Sequence, residues 1–286
     1  MSNAPLATAA VVEDADLNAK AAALDARLAG LGSVLVAYSG GVDSAFLAVT
    51  AARVLGSRSL SVTADSASYP ERHRDLAIEI ARAFNLRHEI IHTDEIGRPD
   101  YRANPANRCY YCKHELYTHL SAIARARGFA AIVDGSNADD RGDYRPGRQA
   151  AREFGVLSPL DESGLTKADI RSLARRAGMS SWDEPASACL SSRIPYHSEV
   201  TDEKLRTIEA AERVLRDLGF RIFRVRHHDA IARLELGRDE IARALDADVS
   251  ETIDRELRRL GYQHVTIDLR GYRMGSLNEA LRLRPV

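Results

Sequence analysis

The chain has 286 residues, 45% of them hydrophobic and 28% charged, with 40 basic against 41 acidic side chains and a formal net charge of −1. These are globular proportions, enough for one large domain or two ordinary ones. So even a balance advertises no general attraction for nucleic acid or an anionic membrane, and no uninterrupted apolar run reaches membrane-spanning length.

The opening MSNAPLATAAVVEDADLNAK lacks a basic n-region and carries Glu13, Asp14 and Asp16, which argues against a secretory signal. The chain is read as cytoplasmic. Residues 1–16 are expected to form a flexible alanine-rich start before a helix with Leu17, Leu24, Leu28 and Leu31 on one face. An alternation follows: a strand near Val34–Tyr38, a helix over Ser44–Leu55 and a strand near Leu60–Ala64. It continues with a helix near Glu71–Phe84, a strand near His88–His92, a helix near Lys113–Ala126 and a strand near Ala131–Asp134. Short apolar strands separated by helices of three or four turns predict an α/β fold with a doubly wound parallel sheet. From about Pro195 the texture changes. A helix capped by Thr201, short strands near Ile222–Arg226, Ala232–Leu236 and His264–Leu269, and helical stretches Arg238–Ala244 and Val249–Leu260 read as a small α+β unit. The expected domains are therefore 17–194 and 195–286, the second serving substrate binding or self-association, and a homo-oligomer is expected.

Ligands on doubly wound sheets sit beyond the carboxyl ends of the strands. The first strand ends in Ser39-Gly40-Gly41-Val42-Asp43-Ser44, the second in Ala64-Asp65-Ser66 and the fourth in Asp134-Gly135-Ser136-Asn137. In the first of these, paired glycines let the main chain approach an anion and a helix N-terminus follows. Ser39 and Ser44 can donate hydroxyl hydrogen bonds, and Asp43 can help hold a Mg²⁺ that bridges phosphates. The spacing and lysine of a Walker loop are absent. SGGVDS instead resembles the PP-loop of the ATP pyrophosphatases, which cleave ATP to AMP and pyrophosphate while adenylating a substrate. Beside it, Asp65, Gly135 and Asn137 are candidate nucleotide contacts, and Asp139 or Asp140 could reach a metal or a ribose.

Cys109 and Cys112 form C-x-x-C in RCYYCK, and Cys189 stands alone in PASACLSSR. Spacing leaves two readings open: three unrelated buried thiols, or a three-cysteine site that suits an iron–sulfur cluster with one open iron better than a closed four-ligand zinc. Arg145 and Arg148 share a turn suited to carboxylate or phosphate. Lys167 lies where a loop enters a helix. Arg224, Arg226 and His228 fall on one face of a strand as an anion clamp, whereas His227 points to the other face, which discounts a zinc pair. Trp182 reads as a packing residue.

Taken in order, SGGVDS, the text at Ala64–Arg72, NPANRCYYCK, DGSNADDRGDYRPGRQAAREFGVLSPL, ACLSSRIPY and RVRHHD resemble the LarE family of ATP-dependent sulfur transferases over roughly residues 17–286. The resemblance implies that ATP and Mg²⁺ adenylate a carboxylate of pyridinium-3,5-biscarboxylic acid mononucleotide and that a sulfur nucleophile displaces AMP. Two rounds give the bis-thiocarboxylate of the nickel-pincer cofactor. It implies a small-molecule mononucleotide and a sulfide or sulfur donor as partners, with neither nucleic acid nor membrane. It also implies that Cys109, Cys112 and Cys189 hold a [4Fe–4S] cluster, as in one branch of the family. In the other branch a single cysteine, matching Cys189, gives up its own sulfur. Arg224 and Arg226 carry over to phosphate binding, with Glu212 and Glu235 as weaker carry-overs to metal or substrate contacts. His73, where the family text continues acidic, is a departure. Three rivals stand against this reading. A tRNA thiolase also joins a PP-loop to three cysteines, but it carries lysine where Val42 stands and needs an RNA-binding surface. An ammonia-using synthetase of the NAD or GMP type has no use for three thiols, and a non-catalytic nucleotide-sensing module would not turn ATP over.

Overall fold

The structure is a computed structural model that describes residues 4–142, 146–185 and 188–282. The chain runs through α1 (Ala4–Leu31), β1 (Val34–Ala37), α2 (Val42–Leu55), β2 (Ser59–Asp65), α3 (Glu71–Ala83), β3 (His88–His92), the single turn α4 (Pro99–Arg102), α5 (Arg108–Arg127) and β4 (Ala131–Val133). The short α6 (Gly147–Glu153) and α7 (Pro159–Glu162) precede α8 (Lys167–Arg176). Then follow α9 (Asp202–Asp217), β5 (Phe223–His228), β6 (Ile231–Leu236), α10 (Ile241–Ala244), α11 (Ala247–Arg259), β7 (His264–Ile267) and α12 (Ser276–Arg282). Two compact units result. The first takes in the chain up to Asp65 with Arg72–Thr93 and Cys112–Glu184, and the second takes Ser66–Glu71, Asp94–Tyr111 and the chain from Pro185.

In the first unit four parallel strands lie in the order β3-β2-β1-β4. Every residue of β1 is buried, as a strand covered on both faces requires. Val34 and Val36 face a core made with Leu24 and Leu28 of α1, Leu47 of α2, Ile80 of α3 and Ile170 of α8. Leu35, which points the opposite way, is equally buried. From β1 the chain winds outward through β2 to β3, then returns across the sheet to place β4 on the other side of β1. The β1–β4 boundary is thus the switch point, where α/β sheets open a crevice at the carboxyl ends of their strands.

The second unit carries a sheet in which β5 and β6 are antiparallel and β6 and β7 parallel. Leu215 of α9 and Leu257 of α11 cover Val225 and Leu234 on it. The Thr201 side chain accepts from the Lys204 amide at 3.2 Å and caps α9, a bond worth about 1 kcal/mol.

One difference from the sequence reading bears on function. The helix expected from Lys113 begins five residues earlier, so Cys109 and Cys112 stand within the first two turns of α5. Cysteine and tyrosine are only moderate helix formers, and tertiary packing overrides that weak preference. The stretch Arg238–Ala244 is helical only over Ile241–Ala244. Among the described residues no helix is long and apolar enough to cross a membrane.

Candidate active site

At the switch point the chain leaves β1 through Ser39-Gly40-Gly41 and enters α2 at Val42. Gly40 has φ +69°, and a Cβ there would lie 2.7 Å from the His73 carbonyl oxygen and 3.0 Å from the Ala77 Cβ. Only glycine meets both demands. Gly40→Ala is expected to cost about 1–3 kcal/mol, read as a lowered melting temperature, together with weaker ATP binding. Gly41 is the N-cap of α2 and brings no side chain to the N–H groups of the first turn. Those donors and the positive end of the helix are left for an anion. The turn is curled by Ser44, whose Oγ donates to the Gly41 carbonyl at 3.0 Å and accepts from the Ser39 amide at 3.2 Å. The Ser39 and Ser44 hydroxyls lie 3.1 Å apart.

Asp43, in the first turn of α2, has two unequal carboxylate oxygens. Oδ2 accepts from Lys167 Nζ at 3.3 Å, while Oδ1 is buried with no hydrogen-bond partner among the described residues. Burial raises the Asp43 carboxyl above the usual carboxylate range; Lys167 pulls it down and Asp140 pushes it up. Lys167 opens α8, where a capping box between Thr166 and Asp169 holds the helix start and Asp139 Oδ2 accepts the Lys167 amide at 2.9 Å. From β4, Gly135 packs on the same point, since a Cβ there would lie 2.8 Å from the Ser44 nitrogen. Asp134 beneath it accepts from Tyr117, from the Ser136 amide and hydroxyl, and from Ser158.

The remaining sequence candidates of this unit divide. Asn137 is buried and shapes the turn, accepting from the Asp139 amide at 3.0 Å and donating its own amide to Asp140 at 3.1 Å. Asp139 and Asp140 therefore serve a helix start and a turn. Asp65, at the end of β2, lies 3.3 Å from Arg74 and 3.9 Å from His92. Arg148 is bound to Asp161 and the Asp140 carbonyl, and Arg145 lies outside the described residues. Trp182 packs against the core, with the Arg175 guanidinium 5.0 Å from its ring centre.

In the second unit the loop around Cys189 is gripped by arginines that the sequence reading did not single out. Arg193 is buried, pairs through Nε and NH2 with the two oxygens of Glu212 at 2.8 Å each, and donates to the carbonyls of Ala188 at 2.6 Å and Cys189 at 3.0 Å. Arg108, also buried, donates to Asn104 Oδ1 and to the Ser191 carbonyl at 3.0 Å. Burial opposes its charge while Cys189, Cys109, Tyr101 and Tyr196 favour it, and the balance puts its pKa above the ordinary arginine value. The signal for both was a basic residue beside each cysteine segment, a placement too common to stand out. None of the three cysteines is in a disulfide; Cys109 is exposed and the others are half-buried. Among the described residues no group of three or more His, Cys, Asp or Glu is arranged to hold a metal.

On β5, Arg226 is committed to Glu235 at 2.8 Å, to Ser276 at 2.6 Å and to the Ser192 carbonyl at 2.7 Å, with its Nε buried and without a partner among the described residues. Burial, with Arg193 and Arg226 nearby, lowers Arg224 to about 10, and its guanidinium lies 5.1 Å from the Tyr272 ring centre. An added anion would relieve this concentration of positive charge. His227 bonds Tyr262 at 2.9 Å while His228 is exposed, so the adjacent histidines do diverge.

No protein-family model matches the chain. A protein of Lactiplantibacillus plantarum named pyridinium-3,5-bisthiocarboxylic acid mononucleotide synthase is 37% identical over 268 residues, which is 93% of this chain and 96% of that protein. An uncharacterized protein of Synechocystis is 43% identical over 253 residues, 88% of this chain and 94% of its own. An uncharacterized protein of Methanocaldococcus jannaschii is 29% identical over 240 residues, 84% and 90%.

Proposed function

Because the chain belongs to the LarE family, that of the pyridinium-3,5-bisthiocarboxylic acid mononucleotide synthase, we propose that it is an ATP-dependent sulfur transferase acting on pyridinium-3,5-biscarboxylic acid mononucleotide. The observation that carries this reading is that relative, matched over 93% of the chain. A carboxylate oxygen of the substrate attacks the α-phosphorus of ATP, the bond to the β-phosphate oxygen breaks, and pyrophosphate leaves. A sulfur nucleophile then adds to the acyl carbon of the adenylate and AMP departs, leaving a thiocarboxylate. Repetition on the second carboxylate completes the product.

In this reading the glycine turn acts as a PP-loop. Gly40, Gly41 and the first turn of α2 receive the pyrophosphate, and Ser39 and Ser44 line it. The orphaned Asp43 Oδ1 fits a Mg²⁺, which neutralises the departing phosphates when bound. Lys167 keeps a positive charge beside the same carboxylate. Arg224 and Arg226 bind the phosphate of the mononucleotide, which the depressed Arg224 would favour. The even charge balance agrees with a mononucleotide rather than an RNA.

For the sulfur step, the family resemblance puts a [4Fe–4S] cluster on Cys109, Cys112 and Cys189, three donors of the right chemical kind, although the described residues do not arrange them as a metal-holding group. None of the three is in a disulfide, and Cys109 and Cys112 lie three residues apart on α5. When bound, a cluster with only three protein ligands supplies a replenishable sulfide for transfer. The test is an oxygen-free reaction with ATP, Mg²⁺, substrate and sulfide, followed by quantitation of AMP, pyrophosphate and product mass. One AMP and one pyrophosphate per oxygen replaced by sulfur are expected. ADP and phosphate would overturn the PP-loop assignment, and AMP without a sulfur-bearing product would overturn the transferase.

A further inference from the structure

The peptide group between Tyr38 and Ser39, where the chain leaves β1 for the glycine turn, is held by side chains at both ends. Its carbonyl oxygen accepts from Thr63 Oγ1 of β2 at 2.8 Å, and its N–H donates to Ser44 Oγ of α2 at 3.2 Å. A peptide group is planar and turns as one unit, so bonds on both edges fix the direction in which Ser39 and the turn set out. Thr63 is buried, and its single hydroxyl hydrogen is spent on the Tyr38 carbonyl. The His88 Nε2 that lies 2.8 Å from Oγ1 is therefore the donor of the second bond to that oxygen.

The Tyr38 side chain fixes another support of the turn. Its ring is buried, edge-on to His88 with centroids 5.3 Å apart, and its hydroxyl donates to the Ala77 carbonyl of α3 at 3.0 Å. Gly40, two residues on, rests against the same stretch of α3. The Cβ it lacks would lie 3.0 Å from the Ala77 Cβ, 3.1 Å from the Ala77 nitrogen and 2.7 Å from the His73 carbonyl oxygen. The Tyr38 hydroxyl thus anchors α3 at the point where the glycine backbone meets it. All of these groups belong to the first unit.

We propose that Thr63 and Tyr38 are positioning residues for nucleotide binding, Thr63 by pinning the peptide that opens the glycine turn and Tyr38 by setting α3 against Gly40. The proposal rests on the reading of that turn as the phosphate site given above. Both side chains act through the backbone of the turn. Losing the Thr63 hydroxyl releases one edge of the pinned peptide, and a preorganised site loses much of its effect when its donors shift by a fraction of an ångström.

The experiment compares full-length wild type with Thr63→Val, Thr63→Ser, Tyr38→Phe and Thr50→Val. Thr50, farther along α2, is buried and donates to the Phe46 carbonyl at 2.8 Å, a bond of the same kind away from the turn. The Mg–ATP dissociation constant is measured by calorimetry and the melting temperature of each nucleotide-free protein by its thermal transition. Thr63→Val is expected to bind Mg–ATP about tenfold more weakly or worse, and Tyr38→Phe severalfold more weakly. Thr63→Ser, which keeps the hydroxyl but loses a buried methyl, should melt lower yet bind close to wild type. Thr50→Val should bind Mg–ATP as wild type does, whatever its melting temperature. A purely structural role predicts instead that affinity follows melting temperature across the series. Wild-type affinity in either Thr63→Val or Tyr38→Phe would overturn the proposal, as would a serine that fails to restore binding or a Thr50→Val that loses as much as Thr63→Val. If Thr63→Val does not fold, Tyr38→Phe, which removes one oxygen, and the serine variant decide. A wild type that binds no Mg–ATP overturns the phosphate-site reading itself, and the wild-type control alone reveals it.

Discussion

Pyrophosphate release is expected to fall by about 100-fold or more in Asp43→Asn, the size of effect seen when one preorganised electrostatic contact to a reacting group is removed. Asparagine keeps the shape of the side chain but gives up the charge that a phosphate-bridging Mg²⁺ requires. Burial raises the Asp43 carboxyl, so the folded protein binds that proton more tightly than the unfolded chain does. Between the unfolded value and the raised folded value, stability therefore falls as pH rises, and at neutral pH the ionised carboxylate is a net cost to folding. The asparagine variant should melt no lower than wild type while losing turnover. That combination separates a functional charge from a structural one. By the same sign, Mg–ATP binding is expected to weaken as pH falls through the raised folded value. Calorimetry of both proteins across acidic pH, with coupled detection of pyrophosphate, checks each point. A variant that retains turnover would remove Asp43 from the mechanism.

The second large effect is expected at Cys189. Cys189→Ser should reduce the sulfur-bearing product on the order of 10³-fold or more, as losses of a residue central to group transfer do. AMP formation should persist, because the glycine turn and Asp43 are untouched. The mass of the wild-type chain after several turnovers decides how the sulfur is delivered. An intact Cys189 with added sulfide consumed is the expected outcome, since Cys109 and Cys112 have no evident part in a sacrificial route. A chain short by the elements of H₂S at position 189 would mean that the cysteine gives up its own sulfur. Full activity in Cys189→Ser would take the residue out of the site.

Much of the region around the glycine turn was legible in the sequence because its constraints are local. A glycine forced to positive φ, an acid one residue into a helix and a polar strand end are each short-range signals, and the parallel order of the sheet brings three such ends side by side. The surroundings of the cysteines were less legible. The start of α5 was misplaced because cysteine and tyrosine say little about helix boundaries, and packing decides there. Arg108 and Arg193 were passed over because their meaning depends on burial and on partners 83 and 19 residues away. The acids Asp139 and Asp140 were read toward ligands, and in the fold one accepts from a helix start and the other from a turn amide. Nothing in a run of small polar residues distinguishes those uses before the chain is folded.

Helix α5 also acts as a ruler. Cys112 stands five residues before Tyr117, whose hydroxyl bonds Asp134 at 3.1 Å, and the next residue, Gly135, presses on the start of α2. Each residue of helix advances about 1.5 Å and turns about 100°. One residue gained or lost between 112 and 117 would turn Cys112 by about 100° around the helix axis while leaving the glycine turn as it was. Lys113 over the Tyr117 ring and His114 against Phe154 hold that stretch in place, so its length in residues is fixed by what it packs on.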